Sequence, residues 1–491
     1  MKRLDDGYDV IILGSGLGGL VAGAYLSKGH HSVLLLKEGQ YDSLYKEKGY
    51  RFTPFSNFSE KHIKGDLLKR ISRDLDLSLA MSDRQGTRRE EGGLKKPGEK
   101  AAFQVILPRS RIDLFCRRSM LQVELEREFP KEVDQIKSFY TEMEELQPLL
   151  KTEKAKEGAR SVFPLRSRSL MRKWWPFDPL PKGRIDQRLA PFSKEFREFI
   201  KMQLISWGNL FSDRVPLSLA HYLLFCDGAD TGKPEVDFEV LRGKVREKFL
   251  QSGGEIEEIE KVDRVEKRWR RGITVSLKED ARAFRSRFLI FNSPLHRLST
   301  LLGNKQRLLS RWGEKIPFRY VVVPLFLGVR ERVIPVGMRE LLVSISDLNR
   351  PYEGGNVLFL SLSQKGDETE APEGRRALTV ESLMAPEDWG SDSLPEHQKG
   401  VMEHLYRLIP FLEEHIDFMD WDWARRQYPS WTYPHFFYEA PSDFRWREGV
   451  VPLQISKDFF FVGKENFPYL GMEGEVLGGL MIAQHILKRY S

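Results

Sequence analysis

YDVIILGSGLGGLVAGAYLSKGHHSVLLLKE, residues 8–38, opens with Tyr8 to Leu13, a short β-branched apolar run. Such a run predicts a central parallel strand buried on both faces. Gly14-Ser-Gly-Leu-Gly-Gly19 follows, then Leu20 to Lys28, rich in Ala, Leu and Val and read as a helix. Ser32 to Leu36 is a second buried strand, with Lys37 and Glu38 at its end. Strand, glycine turn, helix, strand and acid together make a dinucleotide-binding βαβ unit. Gly14 permits the tight turn, Gly16 lets backbone approach a pyrophosphate, and Gly19 lets helix and strand pack closely. The helix start, from Ser15 through Leu17 and Gly18, offers N–H groups and partial positive charge to phosphate.

The same stretch imitates a targeting signal, because Met1-Lys-Arg precedes a long uncharged run from Val10 to Leu26. Asp5, Asp6 and Asp9 break the basic region, and five glycines punctuate the apolar one. A buried strand, turn and helix explain it better than a signal peptide or membrane span. The whole chain has 491 residues, too many for one hydrophobic core, so two or three units are expected. Its 41% hydrophobic and 11% aromatic content excludes a disordered or fibrous protein. Two cysteines, Cys116 and Cys226, build no disulfide framework or metal cluster and favour a reducing, cytoplasmic setting. A net charge of +7 is modest for this length; its basic residues are interrupted by acids, and no nucleic-acid module is present. No nucleic-acid partner is expected.

Further along, residues 82–100 read as a charged, glycine-rich loop, Phe103 to Leu107 as a strand, and 119–151 as a long amphipathic helical region. Residues 162–182 interleave Arg and Lys with Phe, Leu, Met and Trp. They read either as an interfacial element touching a lipid surface or as an ordinary packed loop. Phe238 to Gln251 is helical, and strands are expected at 262–265, 273–277 and 287–292. Those at 321–329, 341–346, 357–362 and 376–383 form a mixed or antiparallel sheet. Phe459 to Gly463 is a strand entering a glycine turn, and Glu473 to Lys488 a closing helix. No histidine stands in a nucleophile or metal motif, and His30-His31 reads as a solvated turn.

The chain resembles the FAD-dependent oxidoreductases of the phytoene desaturase type, which include carotenoid isomerases and retinol saturases. Four features carry the resemblance: GSGLGG; Gly253-Gly-Glu-Ile256 leading to Val262; Phe291-Asn-Ser293; and VGKENFPYLGMEGEVLGGLMIAQHIL, Val462 to Leu487. It implies an α/β protein with a Rossmann-like FAD-binding domain built from discontinuous segments (1–80, 236–300 and 446–491). A mixed-sheet substrate domain with helical insertions would take 81–235 and 301–445. Val262 would meet the adenine through its backbone, Asn292 would stand where the chain leaves the FAD domain, and Gly463 and Lys464 would lie by the ribityl and phosphate groups. Gly471, Met472, Gly474, Glu475 and Val476 would start a helix whose N–H groups face the flavin. The flavin carries the chemistry, so no catalytic side chain and no metal are expected. The substrate would be a lipophilic polyene or isoprenoid, taken up with peripheral membrane contact. The aromatic segment 428–438, with Trp431 and Phe436, would line its pocket or form a domain-packing cluster.

Departures accompany these matches. The family's ribose-binding acid aligns with Lys37, leaving Glu38 one residue late, a slip that a bulge absorbs. The usual Gly-Gly-Arg is replaced by Gly39-Gln-Tyr-Asp-Ser43, and the glycine pair expected before Phe238 by Lys233-Pro-Glu-Val-Asp237. Lys464 and Glu465 stand where an aspartate is usual. Two other readings fit the same resemblance: a non-catalytic lipid or prenyl binder like the Rab GDP-dissociation inhibitors and escort proteins, and a flavin amine oxidase.

Overall fold

The computed structural model describes residues 7–38, 45–52, 65–78, 101–115, 117–145, 183–208, 210–211, 214–225, 238–268, 272–278, 282–293, 298, 301, 318–389, 392–427, 436–439 and 451–489. Residues 82–100 and 162–182, and most of the aromatic segment 428–438, lie outside the described residues, as do the departures at 39–43 and 233–237.

An eight-stranded sheet carries the glycine motif. Its strands are β1 (Tyr8–Leu13), β2 (Val33–Glu38), β3 (Glu255–Ile259), β4 (Val262–Arg268), β5 (Gly272–Leu277), β6 (Ala283–Phe291), β7 (Gln454–Ser456) and β8 (Phe459–Phe461), in the order β7-β8-β6-β1-β2-β3. The β8-β6-β1-β2-β3 neighbours all pair in parallel, while β5 joins β6 and β4 as an antiparallel flap. Three distant stretches of sequence therefore meet in one sheet. The apolar runs explain why: Val10, Ile11 and Ile12 of β1 and Leu35 and Leu36 of β2 are fully buried, as expected of strands covered on both faces. Helices α1 (Leu17–Lys28) and α6 (Gly471–Lys488) pack together, and α4 (Phe238–Gln251) lies against α1.

The second sheet has nine strands and is mixed. Its spine is Phe318–Arg330, which pairs antiparallel with Arg375–Met384, Ile416–Asp420 and Phe436–Glu439. Leu341–Ile345 and Val357–Leu362 extend it, and Ala101–Ile106 joins in parallel. The segment 119–151 is not one helix. Arg118–Glu128 and Val133–Glu145 are separated at Phe129-Pro130, where proline removes a donor and pushes its predecessor out of helical geometry. α2 (Lys194–Gly208) and α3 (Leu217–Phe225) bridge toward the first sheet.

His31, expected in solvent, is buried and stands 3.7 Å from the Asp9 carboxylate; only His30, at φ +63°, stays outside. Two further histidines on α5 (Leu394–Leu408) tie that helix to the second sheet. His397 Nε2 meets the Ser382 hydroxyl at 2.7 Å, and His404 Nε2 meets that of Ser344 at 2.9 Å. His404 Nδ1 lies 2.8 Å from the Gly355 carbonyl, so Nδ1 carries the proton and Nε2 accepts from serine. All four residues are buried, which makes the pairs struts rather than exposed nucleophiles.

Burial lowers both histidine pKa values to about 4. The unfolded chain, with histidine near 6.5, takes up protons first as pH falls. Stability is thus intact above about pH 6.5 and lost progressively toward pH 4, at up to roughly 3 kcal/mol per histidine. Denaturant unfolding across this window should show that slope, and His397→Gln/His404→Gln should flatten it. An unchanged slope in the double variant would contradict the assignment.

Candidate functional site

The candidate site lies at the carboxyl ends of the parallel strands, where open α/β sheets bind ligands. Asn292, the residue after β6, organises it. Its backbone N–H donates to the Leu13 carbonyl at 2.7 Å, fastening the end of β1. Its side-chain Nδ2 donates to the Val462 carbonyl at 2.8 Å, fastening the end of β8. Its Oδ1 accepts the Gly19 N–H at 3.0 Å, holding the first turn of α1. One amide, with a donor at one end and an acceptor at the other, serves both partners; a carboxylate or an apolar group of that size serves at most one.

The glycines answer to this residue. Gly14 has φ +102°, and a Cβ there would run into the Asn292 carbonyl. A Cβ on Gly16 would sit 2.8 Å from Asn292 Oδ1, and one on Gly19 would meet the same oxygen. Gly18 faces the other way: a Cβ on it would lie 2.6 Å from Val462 and 2.9 Å from the Glu475 carbonyl, while one on Gly479 would strike the Gly18 carbonyl. Gly18 and Gly479 are thus what lets α1 and α6 touch backbone to backbone. Leu17 and Gly18, at the start of α1, have no carbonyl one turn back to bond, so their N–H groups stand at the mouth of the loop.

Around this centre the expected residues take their places. Lys37 turns to Glu258, 2.9 Å away, and its neighbour Glu38 accepts the Val262 N–H at 2.6 Å. The acid at the end of β2 and the residue expected beside the adenine are therefore brought together, bonded to each other. Gly463 is held by Asn466, whose Oδ1 accepts the Gly463 N–H at 2.8 Å and whose Nδ2 donates to Val451. Lys464 is half-buried and Glu465 buried beside it. Gly471, at φ +52°, opens α6; Met472, Gly474 and Val476 are buried in its first turns and Glu475 is half-buried. Phe436 sits in the second sheet, its backbone paired with Val321, and Trp431 lies outside the described residues.

Four contributors escaped the sequence reading. Asn466 fixes the Gly463 turn. Arg242, on α4, reaches the glycine loop, with Nη2 donating to the Ser15 carbonyl at 3.4 Å. Tyr222, on α3, donates at 2.7 Å to Oε1 of Glu473, a buried carboxylate in the first turn of α6. Only Glu473 and Asn466 had a local signal, a polar residue inside an apolar signature. The other two arrive from helices more than 200 residues away.

The site fits a dinucleotide cofactor in its central part: four of the six loop residues have no side chain, the first N–H groups of α1 have no intrahelical acceptor, and a guanidinium stands beside it. No protein-family model matches the sequence, and no curated protein does. Solved structures match over nearly the whole chain. An oxidoreductase from Methanosarcina mazei is similar at TM-score 0.60 and 14% identity, covering 97% of this chain and 99% of its own. Cyclohexylamine oxidase from Brevibacterium oxydans is similar at 0.57 and 16%, covering 99% of each. A Rab GDI from Plasmodium falciparum is similar at 0.53 and 12%, covering 98% of each.

Replacing Asn292 with alanine should leave the Gly19 N–H and the Val462 carbonyl unpaired and buried, lowering stability by about 2–6 kcal/mol at ~1–3 kcal/mol per group. Denaturant unfolding measures this, and a loss below about 0.5 kcal/mol would contradict the clamp. The fold is that of a Rossmann-like, FAD/GDI-type α/β protein.

Proposed function

We propose that the chain is an FAD-dependent oxidoreductase whose substrate is lipophilic, of the polyene or isoprenoid kind. The observation that carries the reading is the convergence of two half-sites on one clamp. The Gly14–Gly19 loop and the Gly463–Val476 segment are joined through Asn292 and through the Gly18–Gly479 contact. A mononucleotide needs only the first half-site; a cofactor with a pyrophosphate in its middle and a ring system at its far end engages both.

The division of labour follows from the residues. Leu17 and Gly18 present N–H groups to the pyrophosphate, with Arg242 alongside. Glu38 and Val262 stand at the adenosine end. At the other end, the start of α6, with the N–H groups of Met472 and Glu473 and the positive end of a long helix, would serve the ring. When bound, FAD would supply the hydride-accepting or hydride-donating group, and the protein's part is to orient it and exclude water. The elements packed on that side contribute both apolar and polar buried groups. Gly208 packs against Leu223 and approaches the Tyr469 carbonyl at 3.4 Å, as a Cβ placed on it would measure. Met202, Trp207 and Tyr469 are buried nearby along the same elements. No described helix is long and apolar enough to cross a membrane, so delivery of the substrate from a bilayer would be by surface contact.

A second reading, an amine substrate, is favoured by one observation, the buried Glu473 carboxylate bonded to Tyr222. Anaerobic titration separates the readings. Purified protein mixed with FAD should acquire stoichiometric flavin absorbance. That absorbance should bleach with a hydroaromatic or isoprenoid donor, or the reduced form should reoxidise with a polyene, but it should not respond to amines. Bleaching by amines alone would give the second reading. Failure to retain any flavin would overturn both and leave a lipid binder.

A further inference from the structure

We infer that Arg242 is the phosphate-positioning cation of this site, contacting the pyrophosphate of the bound dinucleotide. The inference rests on the cofactor reading above and concerns a residue that no sequence motif marks. A dinucleotide pyrophosphate carries two negative charges. The start of α1 offers roughly half an elementary charge, from N–H groups that Asn292 has already reduced by taking that of Gly19. Among the described residues of the loop itself, Gly14 to Gly19, no side chain is cationic.

Arg242 is brought there by packing. α4 lies against α1, Leu241 is fully buried between them and the sheet, and the next residue projects along the helix toward the loop. Its Nη2 donates to the Ser15 carbonyl at 3.4 Å, and the side chain is 21% exposed. Its acidic neighbour, Glu239 one turn back, stands 3.9 Å from Nη1. A guanidinium in this position has a planar fork of donors matched to phosphate oxygens, is always charged, and is partly shielded from solvent, where charge-assisted bonds gain strength. It also offsets Glu239, which unopposed would repel the phosphates. Arg242 is the better test residue than Gly16, because any side chain at Gly16 would displace Asn292 as well as obstruct a ligand.

The test uses the full-length protein, with calorimetric titration of FAD, ADP and adenosine into wild type, Arg242→Ala and Arg242→Lys. Circular dichroism and thermal unfolding check that the variants are folded. Arg242→Ala should weaken ADP and FAD by about 10- to 100-fold, the size expected for hydrogen bonds to a charged group. Adenosine, which lacks phosphate, should be unaffected, and Arg242→Lys should fall between, a point charge replacing a fork. If wild type binds FAD and Arg242→Ala binds FAD and ADP equally well, the inference is wrong and the cofactor reading stands. If the variant loses adenosine in the same proportion, or unfolds, Arg242 is structural and the inference is again wrong. If wild type binds ADP through Arg242 yet rejects FAD, the inference holds and the flavin assignment falls. Binding of none of the three by wild type overturns both.

Discussion

The side-chain amide of Asn292 is the constraint on which the site depends. It sits where three chain segments distant in sequence end at one edge: β1 by way of Leu13, β8 by way of Val462 and α1 by way of Gly19. Each segment presents a backbone group that burial would leave unpaired, at a cost of about 1–3 kcal/mol apiece. A single planar amide satisfies two of them and its own backbone N–H a third. That geometry requires the loop to come within contact distance of Asn292, which in turn forbids side chains at Gly14, Gly16 and Gly19. The glycine pattern thus has two causes. One, on the proposed reading, is the approach of a phosphate; the other is the closeness of Asn292, and the second operates whether or not a ligand is bound.

This double cause bears on function. A glycine-rich motif kept for packing would look the same with or without a ligand, and the same fold is found in oxidoreductases and in a Rab GDI. What distinguishes the two is the surroundings of the loop. Arg242, placed beside it by α4, is bonded to the Ser15 carbonyl and makes no contact with the clamp amide, and its proposed service is to a ligand. The contact of Gly18 with Gly479 then sets the distance between the phosphate end and the start of α6, because neither helix can retreat without breaking a backbone-to-backbone interface. Glu473 and Tyr222 link that same helix start to α3.

Much of the first sheet could be read from local pattern. β1, α1 and β2, the helix Phe238–Gln251 and the closing helix all stand within a few residues of their expected places, because apolar period and glycine punctuation are local properties. The strands of the second sheet were legible for the same reason. Pairings were not. Nothing in the sequence near Glu38 says that its carboxylate meets the Val262 N–H, 224 residues on, and nothing near Arg242 points to Ser15. His31 follows a turn residue and reads as solvated, yet the neighbouring Asp9 at the start of β1 draws it inward. Pro130 was visible and should have divided the helical region, since its ring and missing N–H act locally. The site was legible as a glycine loop and a closing signature; the polar residues that give them their charge and geometry were not.

The central claim is that one cofactor spans both half-sites about the Asn292 clamp. Backbone amide exchange, followed residue by residue with and without FAD, tests it most directly, because the N–H groups at the helix starts have no intrahelical acceptor and depend on a ligand for protection. The account predicts that FAD slows exchange at Leu17 and Gly18 and, in the same titration, at Met472 and Glu473, whereas ADP slows only the first pair. Protection by FAD confined to the glycine loop, or found at neither segment, would contradict it.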